Sequence, residues 1–344
     1  MSVNAEKPLV CVCIPTFNSA ATIRETLASI VNQSYKHLNI HVVDNDSTDD
    51  TLQIVLEFND PRIRLYKNKI NVGAEGNFNR CIQSATGEYT AIFHADDIYE
   101  SAMVEKQVLL LEDNPEVGAV FTEAKLIDEN SEIIGKIRFP RDLNSPGNIY
   151  SFKEIFKAVL KHSNFLICPS VMTRTAIYQQ EVKSWRGEMF QSSADLDVWL
   201  RIAQHHQVAF LARPLMRYRI SKKQFSAKVR LQTERADFFR VMDFYLAKGE
   251  VCALLEPSDI QNYEHLCRRD RVMRAVNLFL LGRVDGVRDL IRDSYTWDVL
   301  KAGFQSKRHG AILLAGFYLR LLLLLRLNRF GQVSLGFIKR ALRK

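Results

Sequence analysis

Apolar and polar positions alternate in blocks over the first 125 residues. The short apolar runs "LVCVCIP", "LNIHVVD", "RIRLYKN", "EYTAIFH" and "VGAVFTEA" are separated by amphipathic stretches such as "SAATIRETLASIVNQ" and "SAMVEKQVLLLEDN". Runs of that length bounded by polar turns read as buried strands, and the stretches between them read as helices. Five such alternations predict an α/β fold, a mostly parallel central sheet flanked by helices. Ligands bind sheets of this kind beyond the carboxyl ends of the strands. Thr16 to Asn18, Asp44 to Ser47, and Asp96 with Asp97 each follow a strand directly, so one rim should carry all three groups.

After residue 125 the pieces become shorter, with a "DENSE" turn and a Pro/Gly-bearing loop, "FPRDLNSPGN". This reads as a second half of the same domain that adds antiparallel strands and a wall to the site. "DLDVWLRIAQHH" predicts a helix with Leu196, Trp199, Leu200 and Ala203 on one face. From about residue 228 the pattern is helical to the end. The expected organisation is a domain over 1–226 and an all-helical C-terminal region over 227–344.

With 47% apolar and 25% charged residues, the chain of 344 is globular by composition. Its net charge of +8 suggests a nucleic-acid partner until the charge is located. Residues 301–344 hold 10 of the 47 Lys/Arg and no Asp/Glu, leaving 37 basic against 39 acidic residues in the first 300. No nucleic-acid partner is therefore expected, and the basicity belongs to the tail. The six cysteines lack paired CxxC spacing and read as reduced and buried. "MSVNAEKPLV" lacks the charge and long apolar run of a secretory signal, so the expected location is cytoplasmic.

Several motifs could carry chemistry. "VCIPTFNSAATI" releases Thr16, Phe17 and Asn18 at a helix start, where free backbone donors suit an anion or nucleotide, although Ser19 could equally be a plain cap. No GxGxxG or GxxxxGK[ST] follows that strand, which argues against dinucleotide-dependent oxidoreductases and P-loop enzymes. In "VVDNDSTDDT" a helix opening at Ser47 or Thr48 explains the later acids, but not three polar groups at the strand end. "AIFHADDIYE" runs a buried strand straight into two carboxylates. A solvated turn explains such a pair; so does a Mg²⁺ or Mn²⁺ ion that also needs phosphate oxygens. Asp195 opens the "DLDVWLRIA" helix, either as a favourable N-terminal charge or as a base facing the same site.

In this order and spacing, "CIPTFN…VVDNDSTDDT…NVG…GEY…ADD…CPSVM…ADLDVWLRI" resembles the family 2 glycosyltransferases, over about Leu9 to Ser226. The resemblance implies the GT-A fold and inverting, metal-dependent transfer of a sugar from a nucleotide-diphosphate donor. It implies donor contacts at Pro15, Thr16, Phe17, Asn18, Asp44, Asn45, Asn71 and Asp96, and a Mg²⁺ or Mn²⁺ ion on Asp97 and Asp96. Asp195 matches the general base. Departures are Asn45 for an Asp, His94 for the first acid of the strand-end stretch, Ala194 for a Glu, and Ser221 for a His in "YRIS". Arg201 reads as structural, being two turns into its helix. The departures keep a second reading alive, a catalytically inactive nucleotide-sugar-binding or scaffold protein. A nucleotidyltransferase would need a Gly-rich phosphate loop that "TFNSAA" does not offer.

The tail, about 308–344, contains an apolar run broken by Arg320 and Arg326, shorter than the ~20 uninterrupted residues that span a bilayer. A basic amphipathic helix on the inner face of the cytoplasmic membrane fits better, with a core or dimer helix as the alternative. Membrane contact would suit a polyprenyl-linked saccharide acceptor in surface polysaccharide biosynthesis. Nothing in the sequence selects an oligomeric state.

Overall fold

The computed structural model describes residues 7–220, 233–292 and 307–341. Two compact units divide the chain, Met1–Lys223 and Gln224–Lys344. The boundary expected at residue 226, and Ser221 with it, lies outside the described residues.

The first unit opens with the predicted alternation: β1 (Val10–Thr16), α1 (Ile23–Val31), β2 (Leu38–Asp44), α2 (Thr51–Leu56), β3 (Ile63–Lys67), α3 (Gly73–Ser84) and β4 (Tyr89–Ile92). It continues through β5 (Ile98–Tyr99), α4 (Met103–Asp113), β6 (Val117–Ile127), β7 (Ile133–Ile137), β8 (Ile149–Tyr150) and α5 (Phe152–His162). It closes with β9 (Met172–Arg174), α6 (Gly187–Phe190), α7 (Ala194–His205) and β10 (Gln207–Arg219). The sheet order is β3-β2-β1-β4-β9-β6-β10-β5. β3, β2, β1 and β4 run parallel, as do β6 and β10, while β9 is antiparallel to both neighbours and joins the two parallel sets.

Both faces of β1 are covered, which is why its sequence is a continuous apolar run. Val10, Val12 and Ile14 enter the main core together with Ile23, Leu27 and Ile30 of α1 and Met103, Val104, Val108 and Leu111 of α4. The spacing of the α1 residues places them on one helical stripe. β10 is long but irregular: its register against β6 shifts around Pro214, where a proline costs no ladder bond.

Helices α1 and α2 begin later than expected. Ser47 caps nothing, because its hydroxyl donates to Asp44 Oδ1 (2.6 Å) and accepts from the Asn18 N–H (2.9 Å); α2 starts at Thr51. Of the cysteines, Cys11, Cys13 and Cys81 are buried as expected, whereas Cys252 is exposed, because it sits in a four-residue surface helix.

Within the described residues the second unit is helical: α8 (Asp237–Leu246), α9 (Gly249–Cys252), α10 (Pro257–Leu280), α11 (Val287–Ile291), α12 (Lys307–Leu324) and α13 (Asn328–Ala341). Its core joins Ala275, Val276 and Phe279 of α10 to Leu319, Leu322 and Leu323 of α12 and Leu335 of α13. Gly331 permits the close approach: a Cβ there would lie 2.6 Å from the Phe279 ring and 2.7 Å from Leu322.

Candidate active site

Parallel pairing aligns Thr16 with Asp44 and Asp44 with Lys67, so the ends of β1, β2 and β3 form one rim. Pro15 and Thr16 close β1, and Thr16 is buried with its hydroxyl 3.4 Å from Asp44 Oδ1. Asp44 is fully buried and accepts from the Ser47 N–H and hydroxyl, so it organises the loop from beneath. Asn18 adopts a left-handed conformation (φ 49°), and its Oδ1 accepts from the Thr48 N–H (2.9 Å). Residues 16–18 and 44–48 are thus bolted together, with the ring of Phe17 left exposed at the rim. An exposed aromatic held on a rigid turn suits stacking against a flat base.

Asn45 is buried and uses every valence of its amide. Nδ2 donates to Asn71 Oδ1 (2.9 Å) and Gly73 O (3.1 Å), while Oδ1 accepts from Asn68 Nδ2 (3.1 Å) and the Val72 N–H (2.9 Å). Asn68 also donates to Asn77 Oδ1 (3.1 Å), and Asn77 Nδ2 donates to Val43 O (2.9 Å). This network explains the departure from Asp at position 45. A carboxylate has no donor, and there it would face two oxygen acceptors. Asn45 therefore holds the 68–73 loop with its amide, and Asn71 is the exposed member of the network.

The strand-end carboxylates sit in a turn whose carbonyls are all occupied. Thr22 and Thr26 hydroxyls donate to Ala95 O (2.9 and 3.0 Å), Thr26 also donates to Asp97 O (2.8 Å), and Arg219 Nε donates to Asp96 O (2.7 Å). The Arg219 guanidinium further donates to Asp128 O and Ser131 Oγ and pairs with Glu25 (2.6 Å), while its backbone N–H donates to Asp97 Oδ1 (2.8 Å). Asp97 is fully buried, yet its Oδ2 has no hydrogen-bond partner among the described residues. Burial and the neighbouring Asp96 carboxylate push the Asp97 carboxyl well above the usual carboxylate range, against the opposing pull of Arg219.

His94 Nε2 is likewise buried without a partner, and burial keeps its imidazole pKa low despite Asp96. Ligand atoms of His94, Asp96 and Asp97 lie within 4.8 Å of one another. An orphaned carboxylate oxygen, a half-buried second carboxylate and a neutral imidazole within that span fit a divalent ion of the Mg²⁺ or Mn²⁺ kind. In the sequence His94 reads as a gap in an acidic stretch; the fold brings its ring within the span of the two carboxylates.

Asp195 occupies the first turn of α7 and is half-buried. Burial pushes its carboxyl up to about 6, against hydrogen bonds from the Leu196 and Asp195 N–H groups and the Asn164 side chain. The phenol of Tyr218 is pushed up by burial and by Asp97, Asp96, Cys168 and Asp195, and Asp195 and Asp97 both act on Cys168. The three carboxylates therefore share one electrostatic neighbourhood. Two residues along, Asp197 turns the other way: it is buried and gripped by Arg186 Nε (2.9 Å) and Arg201 Nε (3.0 Å). Arg201 also donates to Val182 O and Ser184 O, the structural role expected for it.

Reading the sequence missed Arg219 and Tyr218 as shapers of the site. It also missed Phe78, whose ring stacks on Trp185 (4.4 Å) and meets His94 edge-on (5.6 Å). The "RYR" segment was the available signal for the first two, but the strand-end acids that Arg219 holds, Asp97 and Asp96, lie more than 120 residues earlier.

The Glycosyl transferase family 2 model matches residues 11–181. A Methanocaldococcus jannaschii protein described as an uncharacterized glycosyltransferase is 32% identical over 223 residues, 63% of this chain and 73% of that protein. The Escherichia coli UDP-Glc:alpha-D-GlcNAc-diphosphoundecaprenol beta-1,3-glucosyltransferase WfgD is 27% identical over 222 residues, 64% of this chain and 80% of its own. Among solved structures, the mannosyltransferase PcManGT from Pyrobaculum calidifontis, in complex with GDP-Man and Mn²⁺, superposes with a TM-score of 0.55 at 17% identity. That match covers 92% of this chain and 88% of the other, and it speaks for the fold alone.

Proposed function

The chain belongs to the family 2 glycosyltransferases, and from that premise we propose that it transfers a sugar, with inversion, from a nucleotide diphosphate to a hydroxyl acceptor. The nucleoside lies along the rim of Pro15, Thr16, Phe17, Asn18, Asp44, Asn45 and Asn71, with Phe17 against the base and the exposed Asn71 within reach of it. Asp96 and Asp97, joined by His94, hold the divalent cation. A Mg²⁺ or Mn²⁺ ion bound there supplies positive charge where the diphosphate leaving group becomes more negative.

Asp195 accepts the proton of the acceptor hydroxyl as that oxygen bonds to the anomeric carbon. The bond from that carbon to the diphosphate oxygen breaks on the opposite side, and its electron pair leaves with the diphosphate. In-line attack of this kind inverts the anomeric centre. A carboxyl pushed up to about 6 is a stronger base than an exposed one and is still ionised at neutral pH. Asp97 is held from behind by the Arg219 N–H, which leaves one oxygen for the ion.

The observation that carries this reading is the strand-end cluster of His94, Asp96 and Asp97, whose ligand atoms lie within 4.8 Å of one another, with Asp97 Oδ2 buried and unengaged among the described residues. A polyprenyl-diphosphate-linked saccharide is the acceptor class favoured, on the strength of the Escherichia coli relative. The test is donor turnover with Mn²⁺ in the wild type and Asp195→Asn. A drop of about 10²-fold or more is expected for loss of a positioned base. Absence of turnover from the wild type across nucleotide sugars that it binds would instead favour the inactive binding protein.

A further inference from the structure

Among its described side chains, helix α12 lacks the polar face that a helix on a water-exposed surface normally carries. Leu319, Leu322 and Leu323 pack into the core of the second unit. The opposite side is also apolar: Leu314, Phe317 and Leu324 are 71%, 60% and 70% exposed, and Leu321 and Leu325 are exposed beside them. At 3.6 residues per turn these five fall within an arc of about 100°. Phe330 and Val333 on α13 add two more exposed apolar side chains one turn apart. A ridge of this kind marks an interaction surface.

Its surroundings select the occupant. Arg320, Arg326 and Arg329 are exposed next to the ridge, and residues 301–344 contain 10 Lys/Arg with no acidic residue. Two copies meeting ridge to ridge would bring two strongly basic segments together, whereas an anionic surface would complement them. No described helix is long and apolar enough to cross a membrane. An apolar face edged by arginines, on a helix too short and too interrupted to span, suits the headgroup region of a bilayer.

We propose that the exposed faces of α12 and α13 dock the protein on an anionic lipid bilayer, with Leu314, Phe317, Leu321 and Leu324 inserted among the acyl chains and the arginines at the phosphates. Lipid docking is independent of the donor chemistry proposed above, because it is read without turnover.

The test is flotation of the full-length protein with phosphatidylcholine vesicles, alone and with added phosphatidylglycerol. The wild type should float with the anionic vesicles, and Leu314→Gln/Phe317→Gln/Leu324→Gln should reduce its partitioning at least 10-fold with an unchanged circular dichroism spectrum. Should that variant misfold, Arg326→Gln/Arg329→Gln should lower binding to the anionic vesicles by several-fold and raise its tolerance to removal of phosphatidylglycerol. In parallel, Phe317→Trp should be quenched by brominated acyl chains. Failure of the wild type to float with anionic vesicles, undiminished flotation of the folded triple variant, or an unquenched Trp would overturn the proposal. So would a wild-type dimer that the triple variant converts to monomer, since the ridge would then be covered by a second copy.

Discussion

Asp97 and Asp197 are both fully buried carboxylates in the same unit, and their surroundings differ completely. Asp197 faces two arginines that engage both of its oxygens, Arg186 at Oδ1 and Oδ2 and Arg201 at Oδ2. Asp97 receives one backbone N–H on Oδ1, has a second acid beside it, and leaves Oδ2 without a partner among the described residues. Burying a charge is costly unless it is paired. The paired acid fastens α7 to the 182–186 loop; the other keeps one oxygen unengaged among the described residues. Incomplete pairing, not burial alone, separates the carboxylate proposed to hold an ion from the structural one.

The largest expected effect lies on the structural side. Asp197→Ala leaves two arginines facing a void, and since Arg186 stays a third exposed the cost falls at the lower end for a broken buried pair, about 3 kcal/mol. Thermal melting should fall by several degrees, with the activity of the remaining folded fraction nearly intact. On the functional side, Asp97→Ala should lower transfer by about 10²-fold or more, the scale for losing a preorganised electrostatic element, with little change in melting.

A change of sign should sharpen the contrast. The raised Asp97 carboxyl means that ionising it, at any pH above the ordinary carboxylate range, opposes folding of the metal-free protein. Asp97→Asn removes that charge, so the metal-free variant should gain about 1 kcal/mol at pH 7 while losing activity. A stability loss there would contradict the account of the orphaned oxygen.

Asp195 predicts a pH profile. Its carboxyl, pushed up to about 6, is protonated below that value and then cannot accept the acceptor proton. kcat/KM should therefore fall tenfold per pH unit below about 6 and level off above it. The smallest effect is expected for Asn45→Asp, which sets a carboxylate against Asn71 Oδ1 and Gly73 O. About 1 kcal/mol of stability should be lost, with a several-fold rise in donor KM as the 68–73 loop loosens.

Much of this was legible in the chain. The five strands, their parallel pairing through β4 and the placing of three polar groups on one rim follow from apolar periodicity, because strands covered on both faces must be apolar throughout. Helix starts were less legible. Ser47 and Ser19 resemble caps locally, but the Ser47 hydroxyl binds Asp44 and Asn18, and the Ser19 N–H donates to Thr51. The role of Arg219 was hidden for a related reason: it depends on the turn at 95–97 meeting β10, a contact across more than 120 residues that no local pattern encodes. Asn45 looked like a weakened base-binding acid until the fold supplied Asn68, Asn71 and Asp-incompatible acceptors around it.

The most direct test of the central claim pairs Mn²⁺ binding, followed by electron paramagnetic resonance in the presence of a bound nucleotide sugar, with transfer measured on the same samples. The account predicts that Asp195→Asn binds Mn²⁺ and donor like the wild type yet transfers about 10²-fold more slowly, and that Asp97→Ala loses the ion itself. Undiminished Mn²⁺ binding by Asp97→Ala, or near-normal transfer by Asp195→Asn, would contradict it.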